Sequence, residues 1–199
     1  MQESDADATL SFSFTQRVDP FALHLNQEYP VAKSNYKKTP PSPHNAAPSE
    51  TKAGAEITRE QLIDNLNDDL AREYQAIIAY VVYSQAIKGA EYMTIAKELE
   101  VHAGEELSHA ITIAKQIDYL GGTIGTQPKP VKTSDSAREM LQFDLDNEAD
   151  TIRNYRQRVR ECEALGEYAM SEHIREILKD EQDHLTELAS ALGIDPPRL

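Results

Sequence analysis

From Ile57 onward, apolar residues recur at three- and four-residue steps, the period of a helix that buries one face. Thr58 followed by Gln61 has the form of a capping box, in which hydroxyl and side-chain amide satisfy end amides reciprocally. Leu62, Leu66, Leu70, Ile77 and Tyr80 carry the stripe to about Ile87, and Gly89 breaks it. A second helix is predicted from about Glu91 to Leu120, closed by Gly121 and Gly122. A third runs from near Ser134 to about Ala164, punctuated by Gly166, and a fourth from about Glu167 to Leu192, ended by Gly193 and Pro196. Thr123 to Lys132 is too rich in Gly, Pro and Thr for a helix. The connections are therefore short, long, short. Short connections force antiparallel neighbours, so the pattern predicts an all-α antiparallel four-helix bundle with one long crossover between helices two and three.

Six polar residues interrupt the apolar stripes. Glu73 lies among Leu66, Leu70, Ile77 and Tyr80; Glu106 and His109 lie among Leu99, Ile113 and Ile117. Glu148 sits between Leu145 and Ile152, and Glu181 and His184 break the run Ile174, Ile177, Leu178, Leu185, Leu188. Carboxylates are almost never fully buried without a partner, so something must neutralise them. Glu73 and Glu106 are 33 residues apart, and so are Glu148 and Glu181. Residues equidistant from the turn of an antiparallel hairpin lie at one level. The two midpoints fall between Gly89 and Ala90 and between Ala164 and Leu165, at the two predicted turns. His109 and His184 each follow a glutamate by three residues, which places both groups on one helix face. The outcome is two equivalent half-sites, each a Glu from one helix and a Glu-x-x-His from the next, a donor set suited to a dinuclear metal centre. Two divalent ions offset the four carboxylates. Oxygen-rich, imidazole-poor ligation favours iron or manganese over zinc.

The tyrosines repeat this symmetry, Tyr80 seven residues after Glu73 and Tyr155 seven after Glu148. A phenol there can hydrogen-bond a ligand carboxylate or donate an electron to an oxidised centre, which makes Tyr80 the candidate catalytic residue. The alternative is a core tyrosine whose hydroxyl finds some other acceptor. His102, one turn before Glu106, is read either as an accessory ligand or as a half-buried polar side chain. His24, His44 and His173 are expected at the surface, and Glu98, Glu100, Glu105, Asp180 and Asp183 mostly on solvated faces.

Composition sharpens this picture. The chain has 199 residues and a formal net charge of −14, which favours cations and argues against nucleic acid or an anionic membrane as partner. Residues 1–56 hold six of the ten prolines and contribute little of that charge, so the acidity belongs to 57–195, the predicted bundle domain. The stretch from Lys33 to Thr51 reads as a linker. Leu10, Phe12 and Phe14, then Phe21, Leu23 and Leu25, fit either a strand-like segment that docks on a protein partner or a disordered tail. The longest apolar run, Ala76 to Tyr83, is eight residues against the roughly 20 a membrane helix needs. The acidic start lacks the form of a secretory signal, and the single Cys162 allows no intramolecular disulfide, so a cytoplasmic protein is expected.

Four blocks carry a family resemblance: Glu73-Tyr74-Gln75 with Tyr80; Glu106-Leu107-Ser108-His109-Ala110; Glu148 within Asp144-Leu145-Asp146-Asn147-Glu148; and Glu176 to His184. Over about residues 57–193 the chain resembles the ferritin superfamily, and within it bacterioferritin. The resemblance implies a ferritin-like bundle with a ferroxidase centre at Glu73, Glu106, His109, Glu148, Glu181 and His184. Two iron ions would be its cofactor, with manganese as the alternative metal. It further implies that Glu106 and Glu181 bridge the metals, that Tyr80 lies close to them, that Glu105 faces the inside of a cage, and that the chain forms a homo-oligomer. Bacterioferritin's haem-ligating methionine position is Leu107 here, so no haem is expected. The fifth helix that bacterioferritins carry has no counterpart, and residues 1–56 lie outside the resemblance, which leaves a dimer, a smaller shell or a tail-mediated assembly open. The leading expectation is iron oxidation by dioxygen or hydrogen peroxide for storage or detoxification. The competing ones are a peroxidase or oxygenase on the same centre, without a rubredoxin module because the sequence has no Cys-x-x-Cys, and a non-catalytic module docking through its tail.

Overall fold

A computed structural model describes residues 57–199, and the readings made for the N-terminal segment lie outside those residues. Four long helices and no strand make up the described region: α1 (Arg59–Ala86), α2 (Met93–Tyr119), α3 (Ala137–Ala164) and α4 (Tyr168–Leu192). The capping box forms as predicted. Thr58 Oγ1 accepts from the Gln61 amide at 3.2 Å, and Gln61 Oε1 accepts from the Thr58 amide at 2.9 Å.

Two helix starts fall later than the sequence suggests. Gly89 turns the chain at φ +126°, a region L side chains rarely adopt, and Ala90–Tyr92 then form a 3₁₀ turn before α2 begins at Met93. At α3, Ser134 Oγ accepts from the Ser136 amide at 3.0 Å, and Ser136 itself caps the helix through the Glu139 amide.

The crossover between α2 and α3 climbs along α1. Asn67 holds its lower part through the Thr123 carbonyl and the Gly125 amide, at 3.0 and 2.7 Å. Higher up, the Lys129 amide donates to the Ala71 carbonyl at 2.9 Å, Gln75 to the Pro130 carbonyl and Tyr83 to the Lys132 carbonyl. Gly122 fits where it does because a Cβ there would come within 2.6 Å of the Ile63 methyl. This path returns the chain to the far end of the bundle, so α3 runs antiparallel to α1 as well as to α4.

Two apolar clusters fill the interior. One centres on Tyr83, Leu99, Leu141, Ile152 and Leu188, the other on Leu62, Leu66, Ile113, Ile117 and Ile174. The buried glutamates and histidines lie between them. Below that layer, Arg158 donates from Nε to Asp69 Oδ2 at 2.7 Å and from Nη1 to Glu161, all three side chains being buried. Removing one partner of such a pair leaves a buried charge uncompensated. Arg158→Leu is therefore expected to lower unfolding free energy by about 3–5 kcal/mol, measured by denaturant titration. On the outside, α1 exposes Ile78, Val81 and Val82, and α2 exposes Val101, Leu107 and Ile111. No described helix is long and apolar enough to cross a membrane.

Candidate metal centre

Each helix delivers its interrupting residues to one level. Glu73, Glu106, Glu148 and Glu181 are at most 3% exposed, and His109 and His184 at most 5%. His109 Nδ1 lies 3.1 Å from Glu106, 3.4 Å from Glu181 and 3.5 Å from Glu73. His184 Nδ1 lies 3.0 Å from Glu106 and 3.5 Å from Glu181. Two four-residue donor groups result: Glu73, Glu106, His109, Glu181, and Glu106, Glu148, Glu181, His184, each with its ligand atoms within 4.8 Å of one another. Glu106 and Glu181 belong to both. All six residues singled out as metal ligands in the sequence thus meet in one buried layer.

Tyr80 donates to Glu148, and Tyr155 donates to Glu73. Each phenol therefore reaches the glutamate of the opposite half, because α1 packs against α3 in antiparallel register. Both carry the same contact, so the symmetry seen in the sequence is realised by the two tyrosines alike.

The outward nitrogens of the histidines reveal what the sequence reading missed. His109 Nε2 lies 3.3 Å from Asp180, and His184 Nε2 lies 2.9 Å from Glu105. Both carboxylates lie on solvated faces as expected, 46% exposed at Glu105 and 43% at Asp180, but each is turned against an imidazole. The signal for them is their position immediately before a layer glutamate, at matching places in the two halves. His102 is also more buried than half: it is 1% exposed, with Nε2 2.7 Å from Glu187 and its ring 4.0 Å from that of His184. Burial and the neighbouring His184 hold His102 below its ordinary pKa, although Glu187 opposes this. His173 is exposed, as expected.

The electrostatics of the layer follow from burial. Desolvation and the neighbouring carboxylates push Glu73 and Glu148 well above the usual carboxylate range. Burial also acts to raise Glu106 and Glu181, but the His109 and His184 imidazoles beside them outweigh it and hold both below that range. For the imidazoles burial favours the neutral form, and it loses to the surrounding carboxylates: His109 is raised, and His184 is pushed up to about 12. Both oxygens of Glu181 and one oxygen each of Glu73, Glu106 and Glu148 are buried without a hydrogen-bond partner. Such a convergence of bare carboxylate oxygens around two inward imidazole nitrogens fits a pair of hard to borderline divalent cations. A cavity of about 10 Å³ lies at this level, lined by Glu73, Gln75, Glu106, Glu148, Thr151 and Glu181 among others.

The family model described as "Ferritin-like domain" matches residues 63–195. The chain belongs to the ferritin-like family. It is bacterioferritin-like within it: the bacterioferritin of Desulfovibrio desulfuricans is 30% identical over 132 residues, covering 66% of this chain and 74% of that protein. Among solved structures, a ferritin-like di-iron carboxylate protein of Bacillus anthracis str. Ames superposes with a TM-score of 0.65 at 33% identity, covering 67% of this chain and 96% of that one. A dodecameric thioferritin related to bacterioferritin, from Bacteroides fragilis, gives a TM-score of 0.64 at 26% identity, covering 69% of this chain and 88% of that one. Membership of the ferritin-like family carries a general role in iron storage of the ferroxidase type.

Proposed function

We propose that this ferritin-like chain oxidises Fe(II) at the buried layer, with dioxygen or hydrogen peroxide as electron acceptor, for iron storage or detoxification. The observation that carries the reading is the set of bare, buried carboxylate oxygens converging with two imidazole nitrogens at one level. Glu106 and Glu181 would be shared between two metal positions, Glu73 and Glu148 would each complete one, and His109 and His184 would bind through Nδ1. Iron bound there supplies the redox chemistry: two Fe(II) give up two electrons, which with two protons convert dioxygen to hydrogen peroxide or hydrogen peroxide to two waters. Manganese suits the same donors. Tyr80 and Tyr155 orient Glu148 and Glu73 by their hydrogen bonds, and Tyr80 is the proposed redox-active phenol. The small cavity supports a diatomic or peroxide oxidant over an organic substrate. Anaerobic loading with Fe(II) followed by exposure to dioxygen tests the reading: absorbance of ferric product should rise well above the buffer rate, and equality with buffer would sink it.

Glu105 and Asp180 accept from the outward histidine nitrogens, which fixes each ring's tautomer and orientation. Glu105→Ala and Asp180→Ala are each expected to weaken binding of Co(II), used as a spectroscopic probe, by about 10–100-fold.

The exposed strip formed by Ile78, Val81 and Val82 on α1 and Val101, Leu107 and Ile111 on α2 is proposed to pack against a second copy of the chain. The dodecameric relative supports assembly of this kind. Leu107→Glu with Ile111→Glu should lower the particle mass read by light scattering. An unchanged mass would move the interface elsewhere.

A further inference from the structure

His102 is not used by the layer described above, and it is buried at 1% exposure between that layer and two carboxylates nearer the surface. Glu98 lies one turn before it on α2, and Glu187 approaches from α4. The donor atoms of these three residues lie within 4.8 Å of one another. His102 Nε2 faces Glu187 at 2.7 Å, and its Nδ1 is buried with no hydrogen-bond partner. Glu98 is half-buried, while the Glu187 side chain is 45% exposed. Neither carboxylate meets a lysine or arginine among the described residues, so the cluster carries negative charge that only the imidazole faces.

The surroundings give this cluster a direction. A surface groove of about 370 Å³ between α2 and α4 is lined by Glu91, Thr94, Glu98, Glu187 and Ser190 among others, and it brings solvent to the two carboxylates. On the inner side, His102, Glu105 and His184 form another group with donor atoms within 4.8 Å, and His184 is itself part of the buried layer. Successive donor groups therefore share a residue from the groove to the centre: His102 joins the first to the second, and His184 joins the second to the layer. One imidazole with two carboxylates suits first-row divalent cations that accept mixed nitrogen and oxygen ligands.

We propose that Glu98, His102 and Glu187 bind one divalent cation at the inner end of this groove, and that Fe(II) passes from there to the buried layer by way of Glu105 and His184. The outer site stands on its own geometry; its role in loading rests on the proposed dinuclear centre.

Anaerobic titration of the full chain with Co(II), read by calorimetry and visible absorbance, tests both parts. The wild type should take up one cation per chain beyond the two of the layer. Glu98→Gln with Glu187→Gln, both at positions accessible to solvent, should lose that extra cation and keep the other two. His102→Gln should lose it as well. In the double variant, stopped-flow loading of the layer with Fe(II) should slow by about 10-fold. An extra cation that survives the double substitution, or that the wild type never binds, overturns the site. Loss of the extra cation with unchanged loading overturns the transit role. Glu148→Ala separates the two readings: the outer cation should persist there while binding in the layer fails. If the wild type bound only the cation removed by the double substitution, the dinuclear reading would fall and the outer site would stand.

Discussion

In Glu148→Ala, Fe(II) oxidation is expected to fall by more than about 100-fold, to the rate in buffer, because losing a residue proposed to bind the metal directly costs more than losing a group that supports one. Glu148 is 3% exposed, pairs with no lysine or arginine among the described residues, and carries one buried oxygen without a hydrogen-bond partner. Glu148→Gln should lose nearly as much activity while keeping an acceptor for the Tyr80 hydroxyl. Stability should move the other way. Burial and the charges of Glu181 and Glu106 disfavour an ionised Glu148, so unloaded Glu148→Gln, which keeps the Tyr80 acceptor, should melt no lower than the unloaded wild type. Added metal should raise the melting temperature of the wild type more than that of the variant. Full oxidation activity in Glu148→Ala would remove the carboxylate from the reaction.

Metal uptake should also release up to about four protons per pair of divalent ions near neutral pH. Glu73 and Glu148 are raised by burial and by neighbouring carboxylates, which favours their protonated forms. His109 and His184 are raised, against the effect of burial, by the carboxylates around them, His184 to about 12, so each is an imidazolium. A cation needs these four groups deprotonated, so protons and metal compete. Because the shifts favour the protonated forms, binding is weak at low pH and strengthens as pH rises towards the raised values. Where all four protons leave as two divalent ions arrive, the exchange is electrically even and the buried layer keeps its net charge. Titration in weakly buffered solution with a pH indicator measures the release. A count below about two, or an affinity for Co(II) that does not change between pH 6 and pH 8, would contradict this charge balance.

The six layer residues were legible in the sequence because each breaks an apolar stripe, and a buried carboxylate has few explanations. Glu73 with Glu106, and Glu148 with Glu181, could be set level from turn midpoints alone, since an antiparallel hairpin has little freedom once its turn is short. Glu105 and Asp180 were not legible in this way. Each lies next to a layer glutamate and so points about 100° around its helix, away from the face that periodicity assigns to the core. His102, one turn before Glu106, falls on the buried face by its period, but spacing along one helix does not name Glu187 or His184 as its neighbours. The late starts of α2 and α3 reflect local turn chemistry at Gly89 and Ser134 that an apolar period does not register.

The sequence by itself determined four helices, their order, the long crossover and the six residues that meet in the buried layer, because all of these depend on spacing along one chain or across one short turn. Tertiary structure decided which partners meet across hairpins. Tyr80 follows Glu73 on the same helix, yet its hydroxyl serves Glu148, because the crossover delivers α3 antiparallel against α1. Glu105 supports His184, and Asp180 supports His109, because α2 faces α4 at that level. These contacts depend on the crossing and rotation of helices separated by long stretches of chain, set by how the two apolar clusters pack above and below the charged layer.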